Sequence, residues 1–265
     1  MVQARKSRKG KKKLASSHNK SWIWGRHAVL EILEAGRWPV QELLLGDSLD
    51  ADALDHANQL ADALSIRIKI EPSERLRELA RTAEHQGYLA KMKPFPYTAL
   101  NVLDDLLQTN ETNPAIAILD RIQDPHNFGA IVRSAEVLGI AAVIIGVADQ
   151  AEVTPAVARA SAGAVNHIPI IQVDDLTRTV ADLSKHDITL IAATEKGTPL
   201  NTSNVFDKET RNASAIILGN EGEGISKELL DQCAALILIP RHGKIQSLNV
   251  AAAAAILFYE ATRNR

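Results

Sequence analysis

The feature that most constrains the fold is the alternation, from residue 115 onward, of short apolar runs with segments of helical periodicity. The run AIAILD precedes the helical pattern FGAIVRSAEVLG, and AAVIIG is a second apolar run of strand length. Such runs are typical of strands buried on both faces, and strands that alternate with helices form a parallel sheet. We therefore predict an α/β domain over 115–265, with a parallel sheet covered by helices on both faces.

The later part of this domain continues the pattern. Four further runs are predicted as strands: HIPII, ITLIAAT, SAIILG and ALILIP. Helices are predicted near 154–161, 176–185 and 248–263 from their apolar spacing.

The segment 21–93 has the pattern of a separate, smaller α/β domain. WIWGRHAVLEILEAG predicts a helix that ends at Gly36, and VQELLLG predicts a strand. A helix (ADALDHANQLADAL), a strand (IRIKI) and a short helix (SERLRELAR) follow. Prolines at 94 and 96 and the polar stretch QTNETNP predict a linker over 94–114, with one short helix around 100–107.

Charge is distributed unevenly along the chain. The net charge is −2, yet residues 1–20 contain eight of the 30 Lys and Arg residues and no acid. The rest of the chain therefore has 22 basic against 32 acidic residues. We predict that 1–20 is a disordered basic tail suited to phosphate binding, or else a solvated tail with no specific partner.

Composition restricts the class of protein further. No apolar run approaches the roughly 18 residues of a membrane span, and the first residues are basic, so a soluble, intracellular, cytoplasmic protein without a membrane partner is expected. The single cysteine, Cys233, allows no internal disulfide and is expected to be a small, partly buried residue. No zinc-site spacing occurs, so no metal is expected.

The first segment with functional character is LDRIQDPHNFGAIVRSAEVLG, residues 119–139. Its polar loop follows a predicted strand, at the end of the sheet where open α/β proteins bind ligands. Asn127 is predicted just before the helix and Arg133 within it. A helix cap and a solvated helix residue are the alternative interpretations.

The second segment is IILGNEGEGIS, residues 216–226. Three glycines after a strand allow the backbone to turn sharply and to approach a ligand closely. The acids Glu221 and Glu223 disfavour a phosphate site, and the spacing differs from the dinucleotide fingerprint. The loop suits a positively charged cofactor, or it is an ordinary tight turn with solvated acids.

The third segment is LILIPRHGKIQSLNVAAAAAILFYEATRNR, residues 236–265. Ser247 and Asn249 precede an alanine-rich helix whose narrow surface favours close packing with a backbone or a flat ligand. A helix cap is the alternative role for Ser247.

Together, NFGAIVRSAEVLG, LGNEGEGIS and IPRHGKIQSLNVAAAAAILFYEA resemble the three ordered motifs of the SpoU-type (TrmH-like) RNA ribose methyltransferases of the SPOUT superfamily. WIWGRHAVLEIL is similar to the opening of the substrate-binding domain in the branch that methylates a guanosine ribose of large-subunit ribosomal RNA. The resemblance implies a parallel α/β catalytic domain with a C-terminal trefoil knot, S-adenosylmethionine as cofactor, RNA as partner and a homodimer. The sequence departs from the family pattern at Arg241, His242 and Ala252.

The resemblance also implies roles for individual residues. Catalytic or substrate-positioning roles fall on Asn127, Arg133, Glu221, Ser247 and Asn249. Cofactor-binding roles fall on Gly219, Ile239 and Leu248. Arg133 is expected to be essential, either as the base or as an anchor for phosphate and developing alkoxide. Nearby His126 and His242 are expected to be loop or RNA-contact residues.

Three functions are compatible with this sequence. The first is 2′-O-ribose methylation of ribosomal RNA, and the second is the same reaction on transfer RNA. The third is a catalytically silent RNA-binding protein, which the intact set of polar motif residues disfavours.

Overall fold

The computed structural model describes residues 21–108, 114–206, 213–245 and 247–263. The predicted basic tail and part of the predicted linker, 109–113, lie outside the described residues. The helices and strands, in chain order, are β1 (Trp22–Trp24), α1 (Arg26–Ala35), β2 (Val40–Gly46), α2 (Ala51–Ala63), β3 (Ile68–Glu71), α3 (Ser73–Ala80), β4 (Tyr88–Met92), α4 (Val102–Gln108), β5 (Ala115–Asp120), α5 (Pro125–Val137), β6 (Val143–Gly146), α6 (Pro155–Ala160), β7 (Ile170–Val173), α7 (Leu176–Leu183), β8 (Ile188–Pro199), β9 (Ala213–Gly219), α8 (Lys227–Leu230), β10 (Ala235–Leu238) and α9 (Val250–Thr262).

The chain folds into two compact units. Unit 1 comprises the described residues up to Pro96 together with 153–166, and unit 2 comprises 97–152 and 167–263. Among the described residues, no helix is long and apolar enough to cross a membrane.

Unit 1 contains a four-stranded sheet in the order β1-β4-β2-β3. Strands β2 and β3 are parallel, whereas β4 is antiparallel to both of its neighbours. Helix α1 ends as predicted at Gly36, which has φ 61° and donates its N–H to Ile32 O at 3.0 Å. The prediction that the helix includes the WIW of WIWGRHAVLEILEAG is wrong, because these three residues form β1 and the helix begins at Arg26. Strand β4 was not predicted, because it lacks strict alternation.

Unit 1 also includes a segment from much later in the chain, residues 153–166. The Arg159 guanidinium of α6 lies over the Trp24 ring, 3.5 Å from its centroid. Arg37 donates from Nη1 to Val165 O at 3.5 Å. Burial removes water from the Arg159 guanidinium and lowers its pKa. The contact with the Trp24 ring stabilises the buried cation.

Unit 2 contains a six-stranded sheet in the order β10-β8-β9-β5-β6-β7, and every neighbouring pair is parallel. The prediction of a parallel α/β domain is therefore confirmed. Every residue of β5 and β6 is buried, which agrees with their uninterrupted apolar sequences. Ile116 and Ile118 of β5 belong to one core cluster with Val180 and Leu183 of α7. Helices α5 and α9, which are also in unit 2, pack against each other.

The strand order reverses direction at the middle of this sheet. From β5 the chain steps outward to β6 and β7, and it later returns on the other side of β5 as β9. Asp120 is paired with Gly219 in the register of β5 and β9, so the two loops that follow leave the sheet side by side. Such a switch point is the usual ligand-binding position in an open α/β sheet.

Two strand ends differ from the predictions. Strand β8 continues past the predicted ITLIAAT to Pro199, where its last residues pair with β10. Strand β10 ends at Leu238, so Ile239 and Pro240 lie in the loop beyond it.

Candidate active site at the carboxyl ends of β5 and β9

The loop after β9 folds back over the end of its own strand. Gly224 N donates to Asn220 O at 2.8 Å, and Gly224 has φ 73°. A Cβ on Gly219 would lie 2.4 Å from Gly224 C and from Ile225 N. Because both of these atoms are backbone, only glycine fits at 219 without a shift of the loop.

Asn220 holds this loop together and joins it to the end of β5. Its Oδ1 accepts from Gly222 N at 2.8 Å and from Glu223 N at 3.2 Å. Its Nδ2 donates to Arg121 O at 2.9 Å. One side chain therefore satisfies two amides of its own loop and a carbonyl on the neighbouring strand's extension.

The helix that carries the first motif begins earlier than the sequence suggested. Asp124 is the N-cap of α5 and accepts from His126 N at 2.9 Å, with Pro125 in the first helical position. Asn127 therefore lies inside the first turn, and the prediction that it precedes the helix is wrong by about one turn. The alternative role as helix cap is excluded for Asn127, which leaves its side chain available for the site.

A chain of hydrogen bonds joins all three motifs. Asn249 Nδ2 donates to Asn127 Oδ1 at 2.9 Å, and Asn127 Nδ2 donates to the Glu221 carboxylate. We call Glu221, Asn127 and Asn249 the polar triad. Both ends of the Asn127 amide are used, so its orientation is fixed by its partners on either side.

Asn249 has a second, structural task. Its Oδ1 accepts from Ala251 N at 2.9 Å and Ala252 N at 3.4 Å, so Asn249 is the N-cap of α9. The cap predicted as an alternative for Ser247 is therefore provided by Asn249.

The remaining predicted catalytic residues lie outside the triad. Arg133 and Ser247 are exposed, and within the described part of the chain neither forms a hydrogen bond or ion pair with the triad. Helical spacing places Arg133 on the same face of α5 as His126 and Val137. Val137 is 71% exposed.

The predicted cofactor-binding residues lie at three places in unit 2. Gly219 ends β9, Ile239 is half-buried beyond β10, and Leu248 is 47% exposed just before α9. Arg241, one of the departures from the family pattern, lies 3.6 Å from Glu195 as an ion pair.

The sequence patterns missed two charged residues at the end of β5. Asp120 is 5% exposed, and Arg121 Nε donates to its Oδ1 at 3.1 Å. The hydrogen bond to Asp120 is the largest cause that raises the pKa of Arg121. An acid that terminates an otherwise apolar buried strand was the available signal, because a buried carboxylate needs partners.

The two histidines of the motif segments and the single cysteine have simple environments. His126 and His242 are exposed. In the described ranges, no three His, Cys, Asp or Glu side chains group as metal ligands. Cys233 is half-buried, as predicted, and burial raises the pKa of its thiol to about 11.

This arrangement suits the orientation of a polar substrate. The triad presents amide and carboxylate groups held by fixed partners, next to a glycine loop that approaches a ligand without Cβ interference. Fixed hydrogen-bonding groups of this kind act by positioning reactants.

Comparison with known proteins gives the class of this arrangement. Residues 114–259 match the model of the SpoU rRNA Methylase family, and residues 22–98 match the model for RNA 2′-O ribose methyltransferase substrate binding. The chain belongs to the SpoU methylase family and is an RNA methyltransferase of the TrmH/SpoU type.

Individual relatives match over nearly their whole length. A protein of Staphylococcus aureus described as a TrmH family tRNA/rRNA methyltransferase is 33% identical over 92% of this chain and 96% of its own. YacO of Bacillus subtilis, with the same description, is 30% identical over 94% and 98%. The SpoU methyltransferase AviRb from Streptomyces viridochromogenes, solved with AdoMet, is 26% identical with a TM-score of 0.72, over 92% of this chain and 90% of that one.

Proposed function

We propose that this protein transfers a methyl group from S-adenosylmethionine to the 2′-hydroxyl of a ribose in RNA, at a guanosine of 23S-type ribosomal RNA, in the cytoplasm. The observation that carries the proposal is the polar triad, since residues from three motifs far apart in sequence bond to one another at the switch point of the sheet. The family membership supports the reaction class.

The division of labour along the chain is part of the proposal. Residues 21–93 would bind the RNA substrate, 94–114 would connect them to the catalytic part, and 115–265, of which 153–166 belongs to unit 1, would carry out methyl transfer. The match of 22–98 to a substrate-binding model supports the first assignment. The choice of ribosomal RNA rests on the resemblance of WIWGRHAVLEIL to the ribosomal branch. The eight basic residues of 1–20 would add phosphate contacts that weaken with salt.

The residues present fit S-adenosylmethionine. The end of β9 has no room for a Cβ at Gly219, Leu248 offers exposed apolar surface, and the acid Glu221 suits a sulfonium cation. Gly219, Ile239 and Leu248 would hold the adenosine part, within a C-terminal trefoil knot. When bound, the cofactor supplies an electrophilic methyl group.

The chain's own residues would position the ribose and its hydroxyl proton. The hydroxyl oxygen would form a bond to the methyl carbon as the carbon–sulfur bond breaks with its electron pair left on sulfur, and the hydroxyl proton would pass to the RNA phosphate that Arg133 anchors and then to water. Asn127, Asn249 and Ser247 would orient the hydroxyl, while Glu221 fixes Asn127. Arginine is permanently protonated at ordinary pH, so Arg133 would anchor phosphate and stabilise the developing alkoxide.

A homodimer completes the proposal. Val137 of α5 is 71% exposed, and Tyr259 of α9, a helix that packs with α5, is 56% exposed. Exposed apolar side chains on neighbouring helices favour an interface between copies. Arg133 shares the face of Val137, so a second copy packed there would lie next to it.

The test is methyl transfer from labelled S-adenosylmethionine to unmodified 23S-type ribosomal RNA and, separately, to transfer RNA. Product is mapped by resistance of the modified ribose to alkaline cleavage. Wild type is compared with Arg133→Ala and with Lys185→Ala, whose side chain lies before β8 at the opposite end of the strands. Transfer to a guanosine that only Arg133→Ala abolishes supports the proposal. Transfer to transfer RNA alone overturns the ribosomal target, and RNA binding without transfer overturns the activity.

A further inference from the structure

We infer that Arg121 is a positioning residue of the methyl-transfer site, which clamps the loop after β9 so that Glu221 meets Asn127. This inference rests on the proposed function. We call Asp120, Arg121, Glu223 and Gly224 the arginine clamp.

The clamp begins with an unusual backbone. Arg121 has φ 59°, in the left-handed region, although it is not glycine. For an ordinary residue this conformation is unfavourable, so it persists where surrounding contacts demand it. The conformation turns the chain sharply as it leaves β5, while Arg121 O accepts from Asn220 Nδ2.

The guanidinium bridges the two sides of the switch point. On the β5 side, Nε donates to Asp120 Oδ1 at 3.1 Å and Nη2 lies 3.4 Å from Oδ2. On the β9 side, Nη1 donates to the Glu223 carboxylate, and Nη2 donates to Gly224 O at 3.3 Å. The planar fork of arginine suits contacts in several directions, which a lysine ammonium would not reproduce.

Asp120 extends the clamp to the far end of the loop. Its Oδ2 also accepts from Ser226 N at 2.7 Å. The carboxylate is 5% exposed, so its charge needs these partners. Residues 220 to 226 are therefore tied to β5 at their start through Asn220, in the middle through Glu223 and at their end through Ser226.

The clamp gives the two acids of the glycine loop different tasks. Glu223 is occupied by Arg121, whereas Glu221 bonds to Asn127. A loop free to move could present either acid to Asn127 or draw both toward the guanidinium. By holding Glu223, Arg121 selects Glu221 for the polar triad without touching the triad itself.

The test compares Arg121→Gly, which tolerates the left-handed backbone, with Arg121→Lys, which keeps only the charge. Lys227→Ala is the matched control, because its exposed ion pair with Asp231 lies beyond the loop. We expect a tenfold to hundredfold loss of kcat in Arg121→Gly at saturating RNA and cofactor. Arg121→Lys should recover part of it, and the control should match wild type.

A second readout separates positioning from general destabilisation. Glu221→Gln should reduce kcat strongly in the wild-type background and by a smaller factor in the Arg121→Gly background, because the loop no longer presents Glu221 correctly. Equal factors in both backgrounds, or a wild-type kcat in Arg121→Gly, would overturn the inference.

Hydrogen exchange keeps the clamp testable without activity. Amide exchange at Gly222, Glu223 and Ser226 should accelerate in Arg121→Gly and in Glu223→Gln, with exchange in β6 unchanged. If wild type transfers no methyl group, the proposed function fails, while this local acceleration still supports the clamp. Unchanged exchange in the loop would contradict the clamp even in an active enzyme.

Discussion

Two segments reach the candidate site with very different internal support. The loop 220–226 is bonded within itself and to β5 by several side chains. The described residues of 241–248 contribute the ion pair of Arg241 with Glu195, while Ile245 is 80% exposed and Leu248 47% exposed. We call 220–226 the prebuilt wall, because its contacts are already formed, and 241–248 the open wall, because its described residues form few contacts.

Asn127 bonds to Glu221 in the first segment and to Asn249, the residue directly after the second, so its removal should have the largest effect. We expect Asn127→Ala to lower kcat by roughly 10²–10³, the range seen when one fixed hydrogen-bonding group is removed from an active site. Lys185→Ala, an exposed change before β8 at the opposite end of the strands, is the control. Steady-state kinetics of Asn127→Ala, Glu221→Gln and their double variant should show a loss well short of additive. Fully additive losses would mean that the two residues act separately.

Cys233 packs against a core cluster that includes Ile225, in the prebuilt wall, and Leu229, so its reactivity reports on that packing. Its thiol pKa of about 11 leaves on the order of 10⁻³ as thiolate at pH 8, so alkylation should be about 100-fold slower than for an ordinary thiol. The rate should rise with pH, since deprotonation supplies the nucleophile. Iodoacetamide labelling followed by mass spectrometry measures it, with the urea-unfolded chain as reference. Equal rates in the native and unfolded chains would show that the site is not protected.

A matched pair of glycines compares the steric tolerance of the two walls. Gly219→Ala should destabilise the fold by about 1–3 kcal/mol, because the new Cβ meets backbone at 2.4 Å. At Gly243 an added Cβ meets nothing within 4 Å, so Gly243→Ala should leave stability nearly unchanged. Urea denaturation gives both values. Similar losses in the free energy of unfolding would show that the two walls do not differ in steric tolerance.

Ser247 should show the smallest effect on stability. Because it is exposed, Ser247→Ala should change the free energy of unfolding by no more than about 0.5 kcal/mol. Methyl transfer should nevertheless fall, since Ser247 would orient the ribose. Calorimetry and the transfer assay on the same preparation compare the two quantities. A large drop in melting temperature would show that Ser247 supports the fold.

Elements fixed by local pattern were predictable from the sequence, and those fixed by distant partners were not. Strands β5 and β6 were predicted because burial on both faces leaves a continuous apolar run. Strand β1 has only three residues and exists through its pairing with β4, more than sixty positions along the chain. No local periodicity records such a pairing.

The same limit applies to the site. Glycine and acid clustering identified the loop around Glu221, and the motif resemblance supplied Asn127 and Asn249. The tasks of Asp120 and Arg121 depend on the register that aligns Asp120 with Gly219. That alignment brings Arg121 to Glu223, 102 residues later, and the sequence holds no spacing rule for it.

The discontinuity of unit 1 affects how the protein is made. Trp24 is among the first described residues to leave the ribosome, yet its cation partner Arg159 is synthesised only after β5, α5 and β6. Unit 1 therefore cannot acquire its complete set of contacts when residue 96 emerges, because 153–166 is still to come. During translation residues 21–96 therefore remain incompletely packed while strands β5 and β6 of unit 2 are synthesised. A nascent chain stalled before residue 153 should be a better protease substrate in 21–96 than a longer one from which 153–166 has left the ribosome.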